Sequence, residues 1–532
     1  MSRATFNMNL SIVFCIVILL LSCKALAQND DQDSRDVYIE QGPIRGYKDP
    51  NTNVFTFYGI PYASVPTGKH KYKAPLPPQS WITTFDAKDR GIICPQAQAE
   101  ELPLFYAGKI IQEDCLIANI YTPDTTDTNL PVVVYIHGGA YQGGYGTMSG
   151  PTKLVELENI IAVTFNYRLG IHGFLCLGTE KVPGNAGLKD MIALLNSGSS
   201  SIELLLLTPA VRGLFSKIIP ESGSSLAAFA VQNDPIAVAQ EFAQRYNVTD
   251  VDDIDALEDF YTTTSLTTIT SDLFRKRTDQ TYLFAPCVES SNLPGGVLHD
   301  SPYNILISGN YKKVPIMYGF NNMEGLLRIG YLEEWSEAMN ENFADFLPPD
   351  LQFHSDEEKA DVADTIKQFY FGNSKIDNTT SLEYVAFFSD IMFIYPMVRA
   401  SKLMVSTGHQ KIFLYEYSFY DNNTTPVPFT DVRGSTHLSQ TNAVLDEDES
   451  NLTDMYKAMK LFLRNTWGRF IATGIPSKDP SLPTWPRLKA DETPYLSVGQ
   501  KIMLKDTPPL ADRMAFWDSI YDIYYKPPMP PN

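Results

Sequence analysis

Positive charge is in short supply in this 532-residue chain: 42 Lys and Arg stand against 62 Asp and Glu, a formal charge of −20. Such a surface repels polyanions, which argues against nucleic acid as a partner. Cysteine is scarce too, with six in all and no Cys-x-x-Cys. There is no His-Glu-x-x-His either, so no metal site and no cofactor is expected. Beyond residue 27 no stretch reads as able to span a bilayer, and no repeat or long low-complexity linker divides the chain. What remains is ordinary globular composition, 44% hydrophobic and 20% charged, enough for a large core.

One apolar run does stand out, near the start. "MSRATFNMNLSIVFCIVILLLSCKALAQ" has Arg3, an apolar stretch from Leu10 to Leu21, then Ala25-Leu26-Ala27. A short apolar segment before an A-x-A site reads as a cleaved secretory leader, residues 1–27, followed by one domain over 28–532. This predicts a secreted protein without a stable membrane anchor, and the tail "YYKPPMPPN" is neither a lipid-attachment nor a retention signal. Cys15 and Cys23 leave with the leader. Cys94 and Cys115 would close a modest loop, plausible as a disulfide in an oxidising compartment. Cys176 in "GFLCLG" and Cys287 in "FAPCVE" sit in apolar contexts and read as buried free thiols. Sequons at Asn247, Asn378, Asn422, Asn423 and Asn451 fit the same route as glycosylation sites.

Hydrophobic patterning alternates between strand and helix. β-branched or apolar runs predict buried strands in "PVVVYIHGG" (131–139), "IIAVTFNYRLG" (160–170), "KKVPIMYGFNNMEG" (312–325) and "KIFLYEYSF" (411–419). Helical periods lie between and after them, as in "GLKDMIALL" and "YKAMKLFLRNTWGRFIATG". That alternation predicts an α/β fold with a mostly parallel sheet covered on both faces. Residues 100–112 and 330–385, of mixed composition, are expected to form lobes over it.

The glycines after the first strand carry chemistry. In "IHGGAYQGGYG", Gly138 and Gly139 let backbone N–H groups approach a ligand oxygen, as an oxyanion hole requires. From here the chain resembles the type B carboxylesterases, the family of cholinesterases and insect juvenile hormone esterases. "QGPIRG" (41–46), "FYGIPYASVPTG" (57–68), "QEDCLIANIYTP" (112–123), "NYRLGIHGFL" (166–175), "GNAGLKD" (184–190) and "GLFSKIIPESGS" (213–224) are similar to its motifs in order. The resemblance implies an α/β-hydrolase fold, a Cys94–Cys115 disulfide and hydrolysis of a small carboxylic ester by a serine–histidine–glutamate acyl-enzyme mechanism. It places the acid at Glu324, in Gly-x-Asn-x-x-Glu-Gly matched by Gly319, Asn321, Glu324 and Gly325. It places the base at His437, three residues after Gly434. The adjoining "LSQTNAVLDEDE" departs from the family's acidic continuation. His409 is the nearest rival base. His137 reads as a brace for the glycine loop and His172 as structural.

The nucleophile does not fit. Gly-x-Ser-x-Gly, the elbow that exposes the catalytic serine, occurs nowhere in the chain. In the resemblance, Gly187-Leu188-Lys189-Asp190 opens a helix that runs to Leu195, and "SGSSSIELLLLTPAVRGLF" matches the family's segment after the serine. Asn196 then falls on the nucleophile itself and Ser197 on the next residue, whose N–H would join the oxyanion hole. Ser199 and Ser200 would lie inside the helix beyond it, and Ser222 in a later strand of its own. Roughly two to three dozen residues, including one central strand, are thus expected to be missing. An amide cannot stand in for a hydroxyl, so the chain is expected to be inactive. A non-catalytic binding or adhesion-type protein on the same fold, or an unstable product of splicing or a faulty gene model, are the alternatives. Neither the particular ester nor the oligomeric state is legible in the sequence.

Overall fold

The computed structural model of the chain describes residues 32–97, 106–195, 202–270, 277–477, 484–490 and 492–531. The leader and the stretch 196–201, which holds Asn196, Ser197, Ser199 and Ser200, lie outside these residues.

The chain opens with β1 (Ser34–Ile39), β2 (Gly42–Lys48) and β3 (Val54–Pro61), paired antiparallel as their short connections require. β4 (Ile117–Pro123) lies antiparallel to β3 and to β6 (Ile161–Phe165), while β5 (Val132–Tyr135) runs parallel to β6. The spatial order is β1-β2-β3-β4-β6-β5, with a two-residue pairing at 85–86 alongside β2. A second sheet has β7 (Ile316–Asn321), β8 (Ile412–Tyr417), β9 (Tyr495–Val498) and β10 (Ile502–Lys505), parallel except for the last. The four strands legible in the sequence are thus β5 to β8, and they form the parallel middle of the architecture. Antiparallel pairing runs from β1 through β2, β3 and β4 to β6 and returns in the final β9–β10 pair, so the architecture is a mixed sheet.

The middle is interrupted. Residues 218–222 run parallel to β7 on its free side, through Met317 N–H to Ile218 O (3.1 Å), Gly319 N–H to Pro220 O (3.1 Å) and Ser222 N–H to Gly319 O (2.8 Å). On its other side this segment has no strand among the described residues, and neither does β5. Helices bridge the two sheets instead. Among them are α1 (Thr152–Glu158), α2 (Ala186–Leu195), α3 (Ile202–Leu207), α4 (Tyr395–Ser406), α5 (Ser439–Leu445) and α6 (Asp454–Thr473). α6 starts where Thr453 accepts from Tyr456 N–H and stops at Gly474 in the left-handed region, φ 74°. It packs so closely on α1 that a Cβ at Gly468 would sit 2.2 Å from Glu158 Cγ. One apolar core holds Leu154 and Ile160 of the first sheet's layer together with Phe413 and Trp467 of the second's.

Two sequence motifs meet at a buried ion pair. Arg168 of "NYRLG" donates through Nε (2.7 Å) and Nη2 (2.6 Å) to Asp190 of "GLKD", and both side chains are fully buried. Arg168 also donates to Lys71 O and Ala186 O, so α2, the loop after β6 and the N-terminal region are fastened at one point.

The cysteines partly correct the sequence reading. Cys94 and Cys115 are bonded, as the resemblance implied. Cys176 and Cys287 are not free thiols but a second disulfide. They lie 111 residues apart, and it is the fold that brings their two apolar segments together around Gly184, where a Cβ would be 2.7 Å from both sulfurs. A second correction concerns membranes. Residues 378–406 form a joined helical stretch long and apolar enough to cross a bilayer, although 83% of its most apolar window is buried inside the protein. Its aromatic residues Phe387 and Phe388 pack with Trp335 and Phe343. Asn247, Asn378, Asn422, Asn423 and Asn451 are all exposed.

Candidate active site

β7 ends in a turn that delivers Glu324, and the reasons lie in its motif. Gly319 faces the Tyr415 ring, which a Cβ would meet at 2.4 Å, and a Cβ at Gly325 would lie 2.2 Å from Val385 O. Asn321 folds back on the acid: its N–H (2.7 Å) and its Nδ2 (3.0 Å) both donate to Glu324 Oε1. Ser222 Oγ donates to the same oxygen and in turn accepts from Gln440 Nε2 at 2.7 Å. The other oxygen, Oε2, is left for His437 Nδ1 at 2.7 Å. Glu324 is fully buried, while about a fifth of the His437 side chain is exposed.

The loop carrying His437 is tied to the Glu324 turn by two bonds, Ser435 N–H to the Asn322 side-chain Oδ1 (2.9 Å) and Met323 N–H to Ser435 O (3.1 Å). Gly434 passes Met323 so closely that a Cβ would meet its sulfur at 2.5 Å. Phe393 stacks on the imidazole at 4.6 Å between centroids. With Nδ1 held by the carboxylate, Nε2 is the nitrogen left to the cavity that His437 helps line. An imidazole held in this way is oriented to take and return a proton at Nε2.

Across that cavity lies the glycine loop after β5. Gly139, Ala140 and Tyr141 have φ of 116°, 52° and 64°, a left-handed run closed by Gln142 N–H to Gly139 O at 2.9 Å. A Cβ on Gly139 would lie 1.9 Å from Gly143 O, so only glycine fits. Among the described residues the N–H groups of Gly138 and Gly139 donate to no other protein group, as an oxyanion site requires. His137 braces the loop as expected: it stacks on Tyr167 at 4.4 Å, and Tyr167 donates to its carbonyl at 3.0 Å. Burial pushes His137 down to about 4, so it stays neutral and is no acid–base group. His409 is likewise lowered to about 4 by burial and bonds Val314 O through Nε2, and His172 is buried beside Tyr72; neither lines the cavity.

The cavity measures about 1330 Å³, larger than the usual range for small-molecule sites of about 300–1,000 Å³. It runs from His437 and Gly138 down between β5 and residues 217–222. Two acids that the sequence reading passed over line it. Glu203 of α3 accepts from Ser225 Oγ (2.6 Å) and Tyr318 Oη (2.8 Å), and burial raises its pKa. Glu221 accepts twice from Tyr415 Oη, at 2.7 and 2.8 Å, and burial pushes it up to about 8. Gln440 was missed as well, although it lies in the "LSQT" that departs from the family's pattern. Among the described residues no His, Cys, Asp and Glu cluster could hold a metal ion.

The sheet, the helices on its faces and the acid–histidine pair opposite a glycine loop define an α/β-hydrolase of the esterase class. Comparison with known proteins makes this specific. The sequence profile of the Carboxylesterase family matches residues 33–196 and 195–517, and the chain belongs to that family. It is 30% identical over 461 residues to a juvenile hormone esterase of Heliothis virescens, covering 77% of this chain and 79% of the other. Esterase FE4 of Myzus persicae is 28% identical over 517 residues, 88% of each chain. Among solved structures, juvenile hormone esterase from Manduca sexta with OTFP covalently attached superposes with a TM-score of 0.81 at 25% identity, covering 92% of this chain and all of that one.

Proposed function

We propose that this chain is a secreted member of the family that recognises small carboxylic esters without turning them over. One observation carries the reading: Glu324 and His437 are assembled opposite Gly138 and Gly139, yet among the described residues no hydroxyl hydrogen-bonds the imidazole. Ser222, a hydroxyl of the described site, gives its proton to the far oxygen of Glu324 and so backs up the acid. Further support comes from three directions. The chain has no Gly-x-Ser-x-Gly. The family match breaks into two pieces that meet at residues 195–196, on Asn196 itself. The sheet is interrupted between β5 and residues 218–222, where a strand leading to a nucleophile would lie.

In a complete enzyme the serine would attack the ester carbonyl, His437 Nε2 would take its proton and pass it to the leaving alcohol, and Glu324 would hold the imidazole. Gly138, Gly139 and the N–H at Ser197 would carry the oxyanion charge. Here His437, Glu324 and the Gly138–Gly139 pair are present without the serine. Secretion is supported by the leader 1–27, two disulfides and the exposed sequons.

The test is to express the chain as a secreted protein and treat it with a fluorophosphonate and with p-nitrophenyl butyrate. No covalent labelling is expected, and any residual hydrolysis should be the same in His437→Ala. Stoichiometric labelling together with His437-dependent turnover would overturn the reading. Transcript reads across codons 190–200 give an independent check, since an insert encoding Gly-x-Ser-Ala-Gly would restore a complete enzyme.

A further inference from the structure

The lower part of the cavity is walled by two strand edges. β5 ends the order of the first sheet, and residues 218–222 end that of the second. Both segments run toward the same site. β5 leads into Gly138 and Gly139, and 218–222 leads into Ser222 beside Glu324. The two edges therefore point the same way across one cavity.

A strand edge carries N–H and C=O groups that need partners. In an enclosed space each unmet group costs about 1–3 kcal/mol, so the chemistry of an occupant is constrained. An acyl chain would fill the apolar volume beside Leu154, Trp467 and Ile471 but would bond neither edge. An extended peptide carries the N–H and C=O groups that both edges lack. The charge at the entrance gives its direction. Lys217, Lys312 and Lys313 line the end where these strands begin, and none has a carboxylate at ion-pair distance among the described residues. Lys312 and Lys313 are held there by the carbonyls of Phe215 and Thr407.

We infer that the seam between the sheets takes up an extended segment of a partner chain, parallel to β5 and to residues 218–222. It comprises an Asp or Glu followed by about five or six β-branched apolar residues, a typical strand length of about 17–20 Å. This is recognition by strand addition, with main-chain bonds supplying affinity and the lysines supplying register. It rests on the two open edges and stands whether or not the chain hydrolyses esters.

The probe is fluorescein-labelled Asp-Asp-Thr-Val-Ile-Val-Thr-Val-Gly-amide, titrated into the full secreted chain by fluorescence anisotropy. Saturable binding is expected, with slowed amide exchange at residues 132–136 and 217–222. N-methylation of alternate amides should weaken it by about tenfold or more, because it removes donors from one edge. Lys217→Glu combined with Lys313→Glu should weaken the Asp-Asp peptide by about tenfold and favour a Lys-Lys counterpart instead. Absence of binding to the folded protein would overturn the inference. So would equal affinity of the N-methylated peptide. Oleate giving the same exchange protection and displacing the peptide would make the seam a lipid site and would also overturn it. Fluorophosphonate labelling reports separately on the ester reading.

Discussion

Glu221→Gln offers a quantitative test of the cavity's electrostatics. Glu221 lines the cavity, accepts twice from Tyr415 Oη, and has its pKa pushed from 4.5 to about 8, first by burial, with Glu324 adding a smaller repulsion. Below about pH 4.5 the carboxyl is protonated in the folded and unfolded chain alike, and its contribution to stability is constant. Between about 4.5 and 8 the folded protein keeps a proton that the unfolded chain has released. Raising the pH through that window therefore destabilises the fold, and the loss is complete above about 8. That gap, at about 1.4 kcal/mol per pH unit, sets a ceiling of about 5 kcal/mol. Glu221 is half-buried and lines the cavity, so about half of the ceiling is expected. Glutamine keeps the shape and an acceptor for Tyr415 without the charge. Urea unfolding followed by tryptophan fluorescence, at intervals from pH 4 to 8.5, should give coincident curves for the two proteins at pH 4. By pH 8 the variant should be more stable by about 2–3 kcal/mol. Other titrating groups, such as Asp350, raised to about 6 by burial, are common to both proteins and cancel in the difference. A difference that stays flat from pH 5 to 8, or a variant less stable at pH 8, would refute the reasoning.

Breaking the Arg168–Asp190 pair by Asp190→Ala leaves a guanidinium in a fully buried site and should cost about 3–5 kcal/mol in chemical denaturation. Replacing Arg168 and Asp190 together by Met and Leu should cost much less, which separates the stranded charge from lost packing. Cys176→Ser with Cys287→Ser opens a loop closed over a separation of 111 residues and should lower stability by about 4 kcal/mol, read from unfolding midpoints under oxidising conditions. Gly325→Ala drives a methyl into Val385 O, so the Glu324 turn must shift. The His437 side-chain NMR signal, sensitive to its bond with Glu324, should move in this variant and stay in place in the surface variant Lys153→Ala.

How far the sequence reached depended on the range of the interaction involved. β5 to β8 were visible because β-branched runs bounded by glycine announce a strand locally. Glu324 and His437 were placed by the family resemblance, and the structure gives the physical reason for its glycines in close contacts at Val385 O and Met323. Pairing between distant segments was not visible. Cys176 and Cys287 each sit in an apolar run, and nothing local distinguishes a bonded cysteine from a buried thiol there. Glu221 looked like any other acid, since only the fold sets Tyr415 over it and removes most of its water. The helix through residues 378–406 escaped notice as a long apolar element because polar residues interrupt it, and they are placed by packing rather than by period. The assembly of "LSQT" was hidden for the same reason: Gln440 gains its role only because Ser222 and Asn321 come to it from other elements.

The interruption between β5 and residues 218–222 also bears on how the protein would carry mechanical load. Within a sheet, a row of backbone bonds must yield together when neighbouring strands are sheared. Across this seam there is no such row among the described residues. The two sheets are fastened by helices on their faces, by the contact of α1 with α6 at Glu158 and Gly468, and by the Cys176–Cys287 bond linking the segment after β6 to the segment before β7. Side-chain packing lets surfaces slide in small steps, whereas a ladder breaks as a unit. Drawn along its strands, the molecule would part first at the seam, and the disulfide would limit how far the halves could separate.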